Sequence, residues 1–163
     1  LWAVNYQTGE PIPAEIVERI IAAQNYLAAY LNVRQLSFGL TDMAWHTITE
    51  PFEGDVEQFE VASMAPSQVQ PVVPGTAMAP AFGHIFSGGY AAGYYGYKWA
   101  EVLEADAFSL FKEKGIFNRE VSGSFRENIL SKGGTEHPME LYVRFRGHKP
   151  ETKALIEKMG LGK

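Results

Sequence analysis

Residues 84–101, HIFSGGYAAGYYGYKWAE, are the stretch from which the rest of the chain is interpreted. They begin with a histidine and contain four tyrosines and four glycines. If the part that follows Gly89 is helical, Tyr90, Tyr94 and Tyr97 lie at positions i, i+4 and i+7 and share one side over about 10 Å of the helix axis. Their hydroxyls then form a row of neutral hydrogen-bond donors. Such a row suits a peptide backbone or an oxygen that gains negative charge.

The same spacing has an ordinary structural explanation, because aromatic residues at helical spacing more often pack in a core than line a site. A buried tyrosine, unlike phenylalanine, needs a partner for its hydroxyl. Gly93 and Gly96 each cost a helix interior about 1 kcal/mol relative to alanine, so we expect them to allow a neighbouring helix or a substrate backbone to approach closely. The residues predicted to be core are Tyr95, Trp99, Leu103 and Phe108.

Composition excludes several classes of function. The chain has 163 residues, a formal net charge of −5 and no cysteine. This length suits one domain with a sizeable core. The missing cysteines rule out disulfides and thiolate chemistry and fit a reducing compartment, so a cytoplasmic location is expected. There is no Lys/Arg run to favour nucleic acid as a partner. No apolar stretch reaches the ~18–20 residues of a membrane span.

Apolar periodicity and Pro/Gly breaks predict an all-α chain. Pro13 begins a first helix whose apolar period continues to Tyr30, and a long helix is predicted from about Gly89 to Lys114, ended by Gly115. Further helices are predicted at residues 36–45, 55–64, 119–131, 138–146 and 150–159. Residues 65–80 contain four prolines and form a predicted long loop. It is either a surface connection, a flexible lid or a segment that contacts substrate.

Several further motifs accompany the tyrosine stretch in a fixed order. They are NYQTGEPIP at 5–13, TDMAWH at 41–46, the run 99–111, GGT at 133–135 and FRGHKP at 145–150. Together they resemble the M3 family of zinc oligopeptidases over nearly the whole chain. Within that family, the His-x-Phe-x-Gly-Gly-Tyr spacing is most similar to the peptidyl-dipeptidase branch.

The resemblance implies a fold and a set of site residues. Residues 1–163 would be one helical segment, the multi-helix C-terminal part of a zincin-like catalytic domain. Tyr97 and Tyr90 match tyrosines that the family uses to stabilise the transition state, so they are the expected catalytic residues. The matching histidine is thought to hydrogen-bond the substrate backbone. The expected substrate-binding residues are His84, Tyr94, Gly88 and Gly89.

The resemblance also implies zinc, but the zinc motif is absent from this sequence. That motif is His-Glu-x-x-His, in which two histidines on one helical face bind the metal. None of the four histidines begins it; they are His46, His84, His137 and His148. Glu50 follows the first and Glu140 the third at helical spacing, but two ligands fall short of the three that catalytic zinc needs. No metal is therefore expected in this chain, and the ligands are expected in the missing N-terminal part of the same peptidase.

Two classes of function remain open at this point. The first is the C-terminal piece of a zinc metallopeptidase that cleaves short peptides, either releasing dipeptides or cutting internally, and that is inactive without the rest. Its surface toward the missing part should be apolar. The alternative is a non-enzymatic helical module that binds peptides or a partner protein. A peptidase relative that has lost its metal site is a third possibility.

Overall fold

The computed structural model describes residues 3–162, and within them the chain is built from eight α-helices joined by turns. The predicted all-α class is confirmed, although the ends of the predicted unit, Leu1, Trp2 and Lys163, lie outside the described residues. The one extended pairing in the described part is an isolated antiparallel bridge between Val4 and Pro11. The helices are α1 (Ala14–Ala23), α2 (Ala28–His46), α3 (Val56–Met64), α4 (Gly83–Phe86), α5 (Gly96–Lys114), α6 (Arg119–Phe125), α7 (Pro138–Arg146) and α8 (Lys153–Lys158).

The first predicted helix is wrong at its C-terminal end. The observed helix stops at Ala23. The next helix, α2, begins at Ala28 and is therefore longer than the second helix predicted at residues 36–45. Leu27 between them has a φ of 55°. This left-handed conformation cannot continue a right-handed helix. Apolar spacing does not signal such a break, because it records which residues share a side and not the backbone conformation.

The later helices follow their start signals closely. The Asp55 carboxylate accepts from the backbone N–H of Gln58 at 2.9 Å and begins α3, and Asn118 begins α6 in the same way. The predicted helix over 119–131 is present, but its second half is a π-helical turn, Arg126–Leu130. The segment predicted at 138–146 is confirmed as α7, whereas the last helix is shorter than predicted.

The apolar core lies where α5, α6 and α7 meet. Its buried members are Ala107, Val121, Tyr142 and Phe145. The ring centroids of Phe125 and Phe145 are 5.1 Å apart in an edge-to-face arrangement, which is favourable for aromatic pairs. We call this group the C-terminal core.

Three of the four residues predicted to be core are instead exposed. Tyr95 and Trp99 are 54% and 53% exposed, Phe108 is also exposed, and Leu103 alone packs against the C-terminal core. Trp99 and Phe108 line a groove of about 750 Å³ along α5, α6 and α7. The prediction failed because periodicity identifies an apolar side of a helix without saying whether this chain supplies the surface that covers it.

The Pro-rich loop between α3 and α4 is anchored by two glutamates of α3. The buried Glu60 carboxylate accepts from the backbone N–H groups of Met78, at 2.8 Å, and of Ala79, at 2.6 Å. Glu57 accepts from the N–H of Gly75 at 2.8 Å. These bonds favour a fixed surface connection over a free lid, and they set where the chain enters α4.

Candidate functional site

The segment that joins α4 to α5 is not the continuous helix predicted from its sequence. Helix α5 begins at Gly96, and residues 91–95 form turns. Ala92 has a φ of 52° and Gly89 a φ of 82°. Both values lie in the left-handed region, which ends any right-handed helix. The i, i+4, i+7 argument for one helical side is therefore wrong for Tyr90 and Tyr94.

The aromatic side chains nevertheless converge. The ring centroids of Tyr90 and Tyr97 are stacked 5.1 Å apart, and those of Tyr94 and Tyr97 are also 5.1 Å apart. The His84 ring lies 6.0 Å from that of Tyr90 and 6.4 Å from that of Tyr94. We call these four residues the tyrosine face. Tyr90 and Tyr97 are 40% and 38% exposed, and His84 is exposed as well, so a ligand can reach all three.

Tyr94 differs from its neighbours because its hydroxyl is hydrogen-bonded to a side chain of α2, outside the tyrosine face. It donates to Oε1 of Gln35 on α2 at 2.9 Å. Its ring packs against Phe38 and Phe82, with centroid distances of 5.8 and 5.3 Å. Tyr94 therefore joins the tyrosine face to α2, and its hydroxyl proton is not available to a ligand in this arrangement.

The phenols of Tyr97 and Tyr94 hold their protons more firmly than an ordinary tyrosine. The neighbouring Tyr90 hydroxyl is the main cause of a raised pKa at Tyr97, and desolvation adds to it. Burial raises the pKa of Tyr94, against smaller opposing effects of Arg34 and Gln35. A phenol with an unperturbed pKa near 10 is already protonated at neutral pH, so these shifts keep both groups as neutral donors.

The backbone geometry explains why glycine stands at positions 88 and 89, the two glycines predicted to bind substrate. A Cβ on Gly88 would lie 2.9 Å from Cα of His84, so a side chain there forces the backbone apart. Gly89 needs its positive φ, which other residues rarely adopt. Together they form the tight turn in which the N–H of Tyr90 donates to the carbonyl of His84 at 3.1 Å. Both glycines thus bring the histidine beside the first tyrosine.

One residue of this site was missed by the sequence analysis. Asp42 on α2 is fully buried, and its two carboxylate oxygens accept from the backbone N–H groups of Ala92, at 2.9 Å, and of Tyr94, at 2.8 Å. Nδ1 of His46 is hydrogen-bonded to the backbone carbonyl of Asp42 at 2.8 Å and also lies 2.8 Å from Oδ1 of the carboxylate. The available signal was an acidic residue inside the apolar segment 36–45, which is costly unless the charge is paired.

The described residues do not fit a zinc site. Residues 3–162 contain no group of three or more His, Cys, Asp and Glu side chains placed to hold a metal. His46 is turned toward Asp42. Nδ1 of His137 accepts from the N–H of Met139 at 3.2 Å and caps α7. The helical spacings to Glu50 and Glu140 are therefore coincidental.

The described part of the chain also lacks any helix that is both long and apolar enough to cross a membrane.

Comparison with known proteins assigns the class. Residues 1–161 match the model of Peptidase family M3, and the chain therefore belongs to this family. It is 49% identical to oligopeptidase A of Escherichia coli over 160 residues. It is 40% identical to the probable cytosolic oligopeptidase A of Arabidopsis thaliana over 164 residues, and 36% identical to the dipeptidyl carboxypeptidase of E. coli over 162 residues.

These alignments cover 96% to 98% of the chain but only 23% to 24% of each relative. The chain thus spans about a quarter of the length of the curated relatives it matches. The predicted family is confirmed. Both named branches are represented among these relatives, with 49% identity to the E. coli oligopeptidase A and 36% to the E. coli dipeptidyl carboxypeptidase over nearly the same share of the chain.

Proposed function

We propose that this chain supplies the substrate-binding and oxyanion-stabilising wall of an M3 peptidase that hydrolyses short peptides. The observation that carries the proposal is the convergence of Tyr90 and Tyr97 beside His84. The ring centroids of the two tyrosines are 5.1 Å apart, and both side chains are partly exposed. Membership of the family supports it, as do the relatives named oligopeptidase A and dipeptidyl carboxypeptidase.

The chemistry of amide hydrolysis gives each member of the tyrosine face a role. Attack on the carbonyl carbon produces a tetrahedral intermediate with a negative oxygen. Donors fixed in place before the reaction stabilise that oxygen more than they stabilise the substrate carbonyl. Tyr97 and Tyr90 are neutral and bring no charge that must be desolvated, so they are suited to this role. His84 would hydrogen-bond the substrate backbone, and Tyr94 with Gly88 and Gly89 would shape the surface on which the peptide lies.

The chain is proposed to be one helical segment of a longer peptidase. The lengths of the relatives support this, and so does the exposed apolar groove beside Trp99 and Phe108, which would pack against the N-terminal part of the same protein. Zinc, as the family implies, would be bound by residues outside this chain, because the described residues do not fit it. A cytosolic location is proposed from the name of the Arabidopsis relative.

The test is Tyr97→Phe in the full-length protein. Removing one oxyanion donor should lower kcat by about 10²–10³-fold, with little change in KM and none in bound zinc. Tyr95→Phe is the matched control, because Tyr95 is exposed and lies outside the tyrosine face; its kcat should stay near that of the wild type. A Tyr97→Phe enzyme with an unchanged kcat would assign this residue to packing.

A non-enzymatic peptide-binding module is the second candidate, and the exposed apolar groove is the observation that favours it. Such a module should bind peptides tightly without metal, whereas part of an active site should bind them weakly. Calorimetric titration of the chain with short peptides in the presence of a chelator separates the two functions.

A further inference from the structure

We propose that Asp42 is a positioning residue for the tyrosine face, and that its carboxylate fixes the backbone turn from which Tyr94 and Tyr97 are presented. The inference rests on the proposed function, since it assigns Asp42 an effect on catalysis that acts through Tyr97. Asp42 itself is fully buried, so no substrate can touch it.

The two oxygens of the carboxylate act at two points of the same turn. Oδ1 accepts from the N–H of Ala92 at 2.9 Å and Oδ2 accepts from the N–H of Tyr94 at 2.8 Å. Ala92 has a φ of 52°, a conformation that costs a residue with a Cβ about 1–2 kcal/mol. In this left-handed conformation both amides point at the Asp42 carboxylate, so the two bonds offset its cost.

Tyr94 is attached to α2 at both ends. Its N–H is held by Asp42 and its hydroxyl by Gln35, one residue of α2 for each end. Helix α5 begins at Gly96, directly beyond this attachment. The first turn of α5 carries Tyr97, whose ring lies 5.1 Å from that of Tyr94. The carboxylate therefore sets where α5 starts and how the Tyr97 hydroxyl is aimed.

An amide cannot replace this carboxylate. Both carboxylate oxygens of Asp42 accept from backbone N–H groups, Oδ1 from Ala92 and Oδ2 from Tyr94. In Asp42→Asn one of these positions becomes an NH₂ group, which is a donor only. Whichever way the amide is turned, one of the two backbone N–H groups loses its acceptor, so the turn is expected to move.

A buried carboxylate elsewhere in the chain provides the control. Asp106 on α5 is also buried, but it accepts from the Tyr142 hydroxyl at 2.6 Å, and the Arg146 side chain lies beside it. Asp106→Asn has the same chemical change at a similar depth, without contact with the turn at 91–95.

The experiment is a double-mutant cycle in the full-length enzyme with Asp42→Asn, Tyr97→Phe and their combination, and with Asp106→Asn as the control. Because a displacement of about 1 Å can cost ~10²-fold, Asp42→Asn should lower kcat by about that factor with little change in KM. In the Tyr97→Phe background it should cost less than about 3-fold, because contacts that act as a unit are not additive. Asp106→Asn should lower kcat by a similar factor in both backgrounds, or not at all.

Hydrogen exchange gives a second readout that does not depend on activity. Asp42→Asn should speed exchange in a peptide that covers residues 88–97 and leave α7 unchanged, whereas Asp106→Asn should do the reverse. If Asp42→Asn does not fold, Asp42→Glu is used in the same cycle, since it keeps the charge but displaces the oxygens by one methylene.

The other outcomes overturn either the positioning role of Asp42 or the proposed function. An equal loss from Asp42→Asn in both backgrounds, or unchanged exchange at residues 88–97, shows that Asp42 is a general stabiliser and not a positioning residue. A normal kcat for Asp42→Asn beside an impaired Tyr97→Phe has the same meaning and leaves the proposed function standing. A normal kcat for Tyr97→Phe overturns the proposed function, and the role of Asp42 in catalysis with it.

Discussion

The tyrosine face and the C-terminal core are both groups with aromatic rings that contact a buried aspartate, but they are held together differently. In the C-terminal core the rings are buried, and Asp106 binds side chains, the Tyr142 hydroxyl and, less closely, the Arg146 guanidinium. At the tyrosine face the rings are partly exposed, and Asp42 binds two backbone N–H groups. One arrangement ties helices together, and the other fixes a turn.

This difference shows where stability and geometry come from in the chain. Removing apolar surface from water stabilises the C-terminal core, and the tyrosine face gains less from that effect because its rings remain partly accessible. Its shape depends on hydrogen bonds to a buried charge, which are directional. Changes in the first region should therefore alter the free energy of unfolding, whereas changes in the second should alter the arrangement of the tyrosines.

The largest effect on stability is expected from Phe145→Ala. Phe145 is buried in the C-terminal core against Phe125, and loss of a buried phenylalanine side chain costs about 3–5 kcal/mol. Urea denaturation of the chain measures the change. Phe117→Ala is the control, since Phe117 is almost fully exposed and should change stability by less than about 0.5 kcal/mol. Equal effects of the two substitutions would show that burial in the C-terminal core is not what makes Phe145 stabilising.

A smaller effect is expected from Tyr142→Phe. It leaves Oδ2 of Asp106 without its hydroxyl donor, which should cost about 1–3 kcal/mol. Burial and the neighbouring Asp106 carboxylate raise the pKa of Tyr142. Because its folded-state pKa lies above the unfolded value, this phenol contributes stability at neutral pH that is lost as pH rises above about 10.

Thermal unfolding at pH 7 and between pH 10 and 11 tests both parts of this prediction. The melting temperature of the wild type should fall more steeply with pH than that of Tyr142→Phe. Tyr26→Phe, at an exposed tyrosine, should have the pH slope of the wild type. If the slopes of the wild type and Tyr142→Phe are the same, the hydroxyl of Tyr142 is not coupled to Asp106 in this way.

The smallest effect is expected from Ala92→Gly, in the turn that Asp42 holds. Glycine removes the penalty of a positive φ, about 1–2 kcal/mol, but its freer unfolded chain offsets about 0.4–1 kcal/mol of that gain. The net result should be a stabilisation of about 0–1.6 kcal/mol. Ala91→Gly, at a neighbour with an ordinary φ, should destabilise by a similar amount. Opposite signs at adjacent positions, measured by urea denaturation, are the diagnostic result.

The all-α class, most helices and the members of the tyrosine face could be predicted from the sequence. Asp55 and Pro138 are local signals for helix starts, and the structure contains both helices. The mutual arrangement of the residues of the tyrosine face could not be predicted, because Ala92 adopts a left-handed conformation that alanine does not favour. That conformation depends on Asp42, fifty positions earlier. Local patterns cannot show a backbone state that a distant side chain imposes.

The prediction that Tyr95 and Trp99 are core residues failed for a related reason. Their apolar side is suited to burial, but the described residues leave it open. Whether such a surface is covered depends on residues that pack against it from elsewhere, and the periodicity of one helix does not describe them. The same limit applies to Tyr94, whose hydroxyl partner Gln35 lies 59 positions away.

The separation between Asp42 and the amides it binds also affects how the protein is made. The aspartate leaves the ribosome 50 residues before Ala92 and 52 before Tyr94. At 5–20 residues per second this delay lasts about 3 to 10 s. During that interval the carboxylate lacks both of the N–H groups that it binds in the folded chain, and burying it unpaired is unfavourable. We therefore expect the side of α2 that carries Asp42 to stay hydrated in the nascent chain, and the tyrosine face to form in the same step that dehydrates Asp42.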